Sequence, residues 1–266
     1  MTAIVKDKVR RSFSCHAGDY DDLAVVQKRV VEKFVTKFCA ETFHPDRLLD
    51  VGTGTGRLLD ALGRQYPHAE LFGADLALGM VKESRSKSGV ASIVCSDAEQ
   101  LPFRDSSFQM VVSTSTYQWL ENLDAAFAEA YRLLVQGGRF CFAFFGGETL
   151  HELRSSYRSG LSETGSLLPD RSHRFFTIEQ ASEALKTAGF TEVRLEPETE
   201  VEYYQDVKTV LASIKGVGAG TASGEKGKGL SGRRVIECMI RSYENEFRTL
   251  EGVPATYEVF YGSGVK

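Results

Sequence analysis

The sequence of 266 residues has no long hydrophobic run and only five cysteines. Its most apolar stretch, 140–145, is far shorter than the roughly 20 residues that a bilayer-spanning helix needs. The cysteines are odd in number and include no C-x-x-C pair, which argues against a disulfide framework and against a zinc site. Residues 1–14 alternate charged and apolar side chains, so we expect no signal peptide. These absences predict a soluble, cytoplasmic protein that holds no metal ion.

The chain also has no strong excess of charge of either sign. It contains 32 basic and 36 acidic residues, a formal net charge of −4, and 42% of its residues are hydrophobic. Proteins that bind nucleic acid over their whole surface are usually strongly basic, and disordered chains combine high net charge with low hydrophobicity. We therefore expect a folded protein, in one large domain or two small ones, that binds neither nucleic acid nor membranes.

Short apolar strands alternate with helices over residues 46–147. The predicted strands lie at 47–51, 70–75, 91–96, 107–114 and 139–145. Helices are predicted at 57–66, 78–87 and 123–134, and Gly137 and Gly138 are predicted to cap the last of them. Strands that are apolar on both faces and alternate with helices imply a parallel sheet covered on both sides.

The remaining residues are predicted to extend this unit at both ends. Residues 1–45 are predicted to form an N-terminal helical cap, whose apolar face carries Leu23, Val26, Val30, Phe34 and Phe38. A helix at 177–188 and strands at 191–195 and 255–261 follow, with insertions at 148–176 and 203–248 that show no strand signal. We expect a single domain over 1–266, with a cofactor-binding half at 46–147 and a C-terminal half at 177–266.

A glycine-rich turn follows the first predicted strand. Its sequence is Asp50-Val51-Gly52-Thr53-Gly54-Thr55-Gly56, and its glycines allow the backbone to turn sharply and to approach a ligand. The dinucleotide-binding fingerprint requires glycine or alanine three positions after its second glycine, where this chain has Arg57. No Lys-Ser/Thr pair of a phosphate-binding P-loop follows the turn, and the adjacent acid would repel a phosphate. An acid followed by G-x-G-x-G resembles motif I of the class I methyltransferases that use S-adenosylmethionine.

Acidic residues after the next two strands extend this resemblance. Asp75 ends the second strand, where a carboxylate can accept hydrogen bonds from both ribose hydroxyls, and Asp97 follows the third, where it can accept one from the adenine amino group. Open α/β sheets bind ligands at the carboxyl ends of their strands. The alternative, that both are solvated loop acids, does not explain their order and spacing. The predicted cofactor site comprises Asp50, Gly52, Gly54, Gly56, Asp75, Leu76, Asp97, Ala98 and Thr114.

Several other segments carry a more specific resemblance. They are Ser12-Phe13-Ser14, Tyr20-Asp21, Gln27-Lys28-Arg29, Tyr117-Gln118-Trp119 and the longer stretches 147–154, 214–219 and 254–262. Together with motif I they resemble the malonyl-acyl-carrier-protein O-methyltransferases of biotin synthesis, the BioC family. The resemblance covers nearly the whole chain, although motif I has Thr53 and Thr55 where many relatives have cysteine and another small residue.

The resemblance implies a doubly wound, mostly parallel, seven-stranded Rossmann-like sheet with an antiparallel last strand and helical insertions. It also implies methyl transfer from S-adenosylmethionine to the free carboxylate of malonyl-acyl-carrier protein or malonyl-CoA, which starts pimeloyl synthesis for biotin. Because a carboxylate is ionised at neutral pH, this reaction needs no general base. The nucleophile must instead be dehydrated and held in line with the methyl group.

We therefore expect an apolar, aromatic substrate site with one or two donors for the carboxylate. Tyr20 and Trp119 are the predicted walls or lid, and His151 and Arg154 are the predicted donors. An arginine can hold a carboxylate through two parallel hydrogen bonds. The alternatives are ordinary packing for the two aromatic side chains and a solvated helix face for His151 and Arg154.

The insertion at 203–248 is locally basic. Residues 206–241 contain seven lysines and arginines and three acids, a net charge of +4 within a chain of −4. Acyl carrier proteins are acidic, and a basic patch would attract and orient such a partner. Lys215, Arg233 and Arg234 are the predicted partner-binding residues, with an ordinary solvated face as the alternative.

Two other functions agree with the same cofactor site. One is methylation of a free small carboxylic acid such as aconitate. The other is that of a non-methylating relative, such as the complex I assembly factors, which act on a protein arginine. The matches at 214–219 and 254–262 favour the carrier-protein substrate over both. A cofactor-binding module without enzymatic activity has no feature in its support.

Overall fold

Seven strands form one sheet in the computed structural model, which describes residues 5–39, 43–88, 90, 92–170, 172–219 and 230–266. They are β1 (Arg47–Val51), β2 (Glu70–Asp75), β3 (Ser92–Cys95), β4 (Phe108–Thr114), β5 (Leu134–Phe145), β6 (Thr191–Tyr204) and β7 (Val253–Val265). The strand order is β3-β2-β1-β4-β5-β7-β6. β7 is antiparallel to β5 and β6, and the other pairs are parallel. This arrangement confirms the predicted fold class.

Helices pack on the sheet or on one another. They are α1 (Lys6–His16), α2 (Tyr20–Leu23), α3 (Val25–Phe38), α4 (Arg57–Gln65), α5 (Leu78–Ser88), α6 (Leu123–Leu133), α7 (His151–Glu163), α8 (Ile178–Ala188), α9 (Val207–Gly216) and α10 (Leu230–Phe247). The insertion at 148–176 contributes α7, and the insertion at 203–248 contributes α9 and α10. Within the described residues, no helix is long and apolar enough to cross a bilayer.

Alternate residues of the central strands feed two separate apolar clusters. Leu49 and Val111 belong to the cluster that includes α6 and α8, whereas Leu48 and Met110 belong to the one that includes α3 and α4. This alternation places one cluster on each face of the sheet. Val26, Val30 and Phe34 bury the predicted face of α3, but Leu23 ends α2 and is exposed. Because both faces are covered, the edge formed by the strand ends is the part of the sheet that remains accessible to ligands.

The prediction that Gly137 and Gly138 cap the helix before β5 is wrong. α6 ends at Leu133, and both glycines lie inside β5, where its register against β4 shifts. Gly137 has a φ of 75°, and its N–H donates to the Lys266 carbonyl at 2.9 Å. An irregular strand and a helix C-cap both use the left-handed backbone that glycine favours, so glycine alone does not distinguish them.

β6 is much longer than the predicted strand at 191–195. In its outer part every second residue is a glutamate rather than an apolar residue, and these glutamates pair with the basic side chains of α3. Lys37 lies 2.8 Å from Glu198, and Arg29 lies 2.7 Å from Glu202. An apolar pattern cannot predict such a strand, because α3 covers this edge of the sheet with charge.

Candidate active site

The glycine-rich turn leaves β1 at the carboxyl edge of the sheet and leads into α4. Gly52 has a φ of 76°, and a Cβ there would overlap the side chain of Thr116. Gly54 has a φ of 56°, but a Cβ there would meet nothing within 4 Å. Gly56 stands at the N-cap of α4 in the left-handed region. The turn is therefore packed against the protein at Gly52 and open at Gly54.

Asp75 ties the end of β2 to this turn. Its Oδ2 accepts the Gly54 N–H at 2.9 Å, and its Oδ1 accepts the Ala77 N–H at 2.7 Å. Burial raises the pKa of this carboxyl to about 6. A carboxylate has about four lone-pair sites, so each Asp75 oxygen can still accept a hydrogen bond from a ligand hydroxyl.

A narrow cavity opens beside the turn and collects most of the predicted cofactor residues. Those that line it are Gly52, Gly54, Asp75, Leu76, Asp97, Ala98 and Thr114. The two others do not line it: Gly56 is the N-cap of α4, and Asp50 is almost fully buried within β1. Burial raises the pKa of Asp50 to about 7, against the opposing effect of the Thr53 hydroxyl beside it, and neither Asp50 oxygen forms a well-aligned hydrogen bond with the described residues.

Helix α1 forms one wall of this cavity, which the sequence did not indicate. Lys6 on α1 reaches across to Asp97, with its Nζ 2.7 Å from Oδ2, and to Glu99 at 2.9 Å. The other oxygen of Asp97 accepts the Glu99 N–H at 3.0 Å. Lys6 belongs to no recognisable motif, and only the folded chain brings it to the end of β3.

A second cavity, of about 1240 Å³, adjoins the first. Side chains from α1, α2, α7, α9 and α10 line it, together with residues 172, 173 and 175 of the segment between α7 and α8. Four residues line both cavities: Phe13, Tyr20, Ser115 and Trp119. The two predicted aromatic residues, Tyr20 and Trp119, therefore stand at the junction of the two cavities.

Trp119 is fixed by the short 3-10 turn that follows β4, Tyr117–Trp119. The Trp119 backbone N–H donates to the Thr116 carbonyl at 3.0 Å, and the Trp119 ring contacts the Phe13 ring with a centroid separation of 5.5 Å. The Tyr20 ring also contacts the Phe13 ring, with a centroid separation of 6.3 Å. Burial, together with the nearby Asp75 and Asp21 charges, raises the pKa of the Tyr20 hydroxyl, which therefore stays protonated.

The two predicted carboxylate donors lie in different places. Arg154 lines the larger cavity: its Nη2 donates to the Gly147 carbonyl, and its buried Nε has no hydrogen-bond partner among the described residues. Burial lowers the pKa of this guanidinium, which still remains charged at neutral pH. His151 lines neither cavity, and its ring packs instead on Phe247 at 6.1 Å.

His173 is a cavity residue that the sequence did not indicate. Its Nε2 lies 2.8 Å from the backbone carbonyl of Gln118, and its ring lies 4.8 Å from that of Trp119. It belongs to the irregular segment between α7 and α8, where neither periodicity nor a motif marks it. Only the fold brings this segment over the turn that carries Trp119.

Exposed basic residues of the C-terminal insertion are among the residues that line the larger cavity. Lys208 and Lys215 of α9 and Arg233 of α10 line it and are exposed. Arg233 pairs with Glu237 at 3.0 Å. Arg234 is also exposed but does not line the cavity, and Lys226 and Lys228 lie outside the described residues.

The sheet order and the ligand turn are those of a Rossmann-like methyltransferase, and a family model described as a methyltransferase domain matches residues 49–142. The solved structure of phosphoethanolamine N-methyltransferase 2 of Haemonchus contortus, in complex with phosphomonomethylethanolamine and S-adenosylhomocysteine, has the same fold. Its TM-score is 0.54 at 17% identity, over 90% of this chain and 52% of that one.

More similar relatives narrow the class to one family. The malonyl-[acyl-carrier protein] O-methyltransferase of Geobacter sulfurreducens is 48% identical over 264 residues, which cover 98% of this chain and 99% of that protein. The biotin biosynthesis bifunctional protein BioHC of Teredinibacter turnerae is 35% identical over 96% of this chain and 46% of its own length. The chain belongs to the malonyl-acyl-carrier-protein O-methyltransferase family, and it is an O-methyltransferase.

Proposed function

We propose that this enzyme transfers a methyl group from S-adenosylmethionine to the free carboxylate of malonyl-acyl-carrier protein, in the synthesis of biotin. The observation that carries the proposal is the meeting of two different cavities at Tyr20 and Trp119. One cavity is lined by acids at the strand ends, and the other by aromatic side chains and Arg154. The names and near-complete overlap of the relatives support the same substrate and pathway.

The residues of the narrow cavity fit S-adenosylmethionine. Asp75 retains acceptor capacity for the ribose hydroxyls, and the open face of Gly54 leaves room for a ligand against the backbone. Asp50 supplies a buried carboxyl beside the turn that has no well-aligned hydrogen bond among the described residues, which suits the cationic methionyl end of this cofactor. We assign the Asp97 carboxylate as the acceptor for the adenine amino group. Lys6, which is paired with Asp97, lies beside it.

The protein's contribution to the reaction is to bind, orient and dehydrate the nucleophile. When bound, S-adenosylmethionine supplies an electrophilic methyl group. We assign the malonyl carboxylate to Arg154, which lines the larger cavity and whose buried Nε has no hydrogen-bond partner among the described residues. Tyr20, Trp119 and Phe13 exclude water at the junction, which makes the carboxylate a better nucleophile than it is in water. His151 has no part in this assignment, because it lines neither cavity.

The opening of the larger cavity supports a carrier protein as the form in which the substrate arrives. The cavity is larger than a malonyl group needs, and it leads to the exposed basic residues Lys208, Lys215 and Arg233. A phosphopantetheine arm would extend through this opening, while the acidic carrier protein stays on the basic rim. The five cysteines are unpaired, which agrees with a reducing compartment such as the cytoplasm.

The experiment that tests this proposal compares acceptors with one labelled donor. We would incubate the protein with labelled S-adenosylmethionine and, in separate reactions, malonyl-acyl-carrier protein, malonyl-CoA, free malonate and free aconitate. We expect label on the two thioesters, with the carrier protein preferred. Label on a free acid but on neither thioester would refute the proposed substrate, and an absence of label on every acceptor would favour the non-methylating, assembly-factor type of activity.

A further inference from the structure

A continuous row of rings and one guanidinium crosses the junction of the two cavities. The Phe13 ring contacts Trp119, Trp119 contacts His173 at 4.8 Å, and His173 contacts Phe175 at 4.5 Å. The Arg154 guanidinium lies over the Phe175 ring at 5.7 Å from its centre. The row therefore joins the wall of the cofactor cavity to the side chain to which we assign the malonyl carboxylate.

His173 is the member of this row that is tied to the sheet. The Gln118 backbone carbonyl can only accept a hydrogen bond, so the proton lies on Nε2 of His173, which donates to it at 2.8 Å. Gln118 is itself fixed, because its Nε2 donates to the Ser115 carbonyl at 2.6 Å and its Oε1 accepts the Phe145 N–H at 3.4 Å. The imidazole ring is thus held in one orientation.

The charge state of His173 agrees with this role. Burial and the charge of Arg154 lower its pKa, against the opposing effect of the Gln118 carbonyl. The ring is therefore neutral at physiological pH. A neutral ring can pack between Trp119 and Phe175 without repelling the guanidinium at the end of the row.

We propose that His173 is a positioning residue for methyl transfer, which fixes the Trp119 ring at the junction and links its position to that of Arg154. The inference rests on the proposed function only in assigning the donor and the acceptor to the two cavities. In this assignment His173 contacts neither the methyl donor nor the malonyl carboxylate, so it acts through the position of Trp119. A displaced wall changes the alignment of donor and acceptor, and alignment governs kcat more than it governs binding.

Trp119 is the only tryptophan of the sequence, so intrinsic fluorescence reports on this ring alone. We would compare the wild type with His173→Ala, which removes the ring and the donor, and with His173→Gln, which keeps an N–H donor near the position of Nε2. His68→Ala, in an exposed turn, is the matched control. The readouts are the Trp119 emission maximum, its change on titration with S-adenosylhomocysteine, and kcat and KM with malonyl-acyl-carrier protein.

We expect His173→Ala to shift the Trp119 emission to longer wavelength and to lower kcat by about 10- to 100-fold, with KM values within about threefold of the wild type. His173→Gln should recover at least part of the lost kcat, and His68→Ala should match the wild type. Unchanged emission in His173→Ala would overturn the inference, whatever happens to kcat or thermal stability. If the wild type does not methylate the malonyl carrier, the proposed function fails, while the emission data still decide whether His173 fixes the Trp119 ring.

Discussion

The two cavities of this enzyme are built in different ways. The cofactor cavity lies where β1, β2, β3 and β4 end, with α1 as one wall, and its acids Asp75 and Asp97 end or closely follow two of those strands. The larger cavity is bounded by side chains of helices that are far apart in the sequence, from α1 to α10. The cofactor cavity therefore depends on the backbone conformation at the strand ends, and the larger cavity depends on which side chains the fold brings together.

If the cofactor cavity depends on backbone geometry, one added methyl group should break it. In Gly52→Ala the new Cβ would overlap the Thr116 side chain at a φ of 76°, so we expect the affinity for S-adenosylhomocysteine to fall at least about 100-fold. Isothermal titration calorimetry measures this loss, and thermal denaturation shows whether the fold survives.

Gly54→Ala is the matched comparison for that change. It carries similar backbone strain, on the order of 1 kcal/mol, at a φ of 56°, but its Cβ meets nothing within 4 Å. Because that Cβ would enter the space that we assign to the cofactor, we expect affinity to fall by about tenfold or more, while the melting temperature of the free protein falls less than in Gly52→Ala. Equal losses of melting temperature in the two variants would mean that backbone strain, rather than the overlap with Thr116, controls the turn.

The larger cavity should respond instead to the loss of a single charge. Arg154→Gln removes the guanidinium whose Nε has no partner among the described residues, so we expect kcat/KM for malonyl-acyl-carrier protein to fall about 100-fold. Cofactor affinity should stay within about twofold, because Arg154 does not line the narrow cavity. Steady-state kinetics and calorimetry on the same preparation separate the two effects.

His151→Gln sharpens the same comparison, since His151 lies only three residues earlier on α7 but lines neither cavity. We expect its kcat/KM to remain within about threefold of the wild type. A larger loss in His151→Gln than in Arg154→Gln would reverse the assignment of the carboxylate donor.

Substitution of Asp50 tests whether the buried carboxyl beside the cofactor cavity lowers the stability of the free protein. Burial raises its pKa from 3.8 to about 7, so the folded protein binds this proton more tightly than the unfolded chain. The folded state is therefore favoured at low pH, and it loses this stability as the pH rises from about 4 through 7. We expect Asp50→Asn to increase the melting temperature of the free protein at pH 8 more than at pH 5.

The same substitution should weaken cofactor binding by about tenfold, since it removes the only charge we assign to the methionyl end. Differential scanning calorimetry at the two pH values and titration at pH 8 give both quantities. A variant that is less stable than the wild type at pH 8 would show that the Asp50 carboxylate stabilises the free protein, contrary to this prediction.

The sequence predicts the cofactor cavity better than the larger one for the same structural reason. Asp75 and Asp97 follow strands whose apolar pattern is clear, so their place at one edge of the sheet follows from the fold class. Lys6 and His173 have no such neighbours: their contacts with Asp97 and Trp119 join segments far apart in the chain. The sequence does not predict the outer part of β6, because glutamates that pair with α3 stand there where an apolar pattern would indicate a strand.

The smallest expected effect concerns the rim of the larger cavity, where charge acts before any contact is formed. Arg233→Glu with Arg234→Glu reverses two exposed charges on α10, and we expect it to slow the reaction with malonyl-acyl-carrier protein about five- to tenfold at low salt. Malonyl-CoA should be affected less than about twofold, because it lacks the acidic protein that the rim would attract. Kinetics at low and high ionic strength check both expectations.

The pair Arg64→Glu with Arg104→Glu makes the same change in net charge at exposed positions that line neither cavity. If the carrier protein is attracted by overall charge, both pairs slow the reaction equally. If it docks at the opening of the larger cavity, only the α10 pair does, and added salt removes the difference because it screens charges over about 10 Å. That outcome would extend the contrast between the two cavities to the surface, since the partner would then be recognised by side chains on the same helices that bound the substrate.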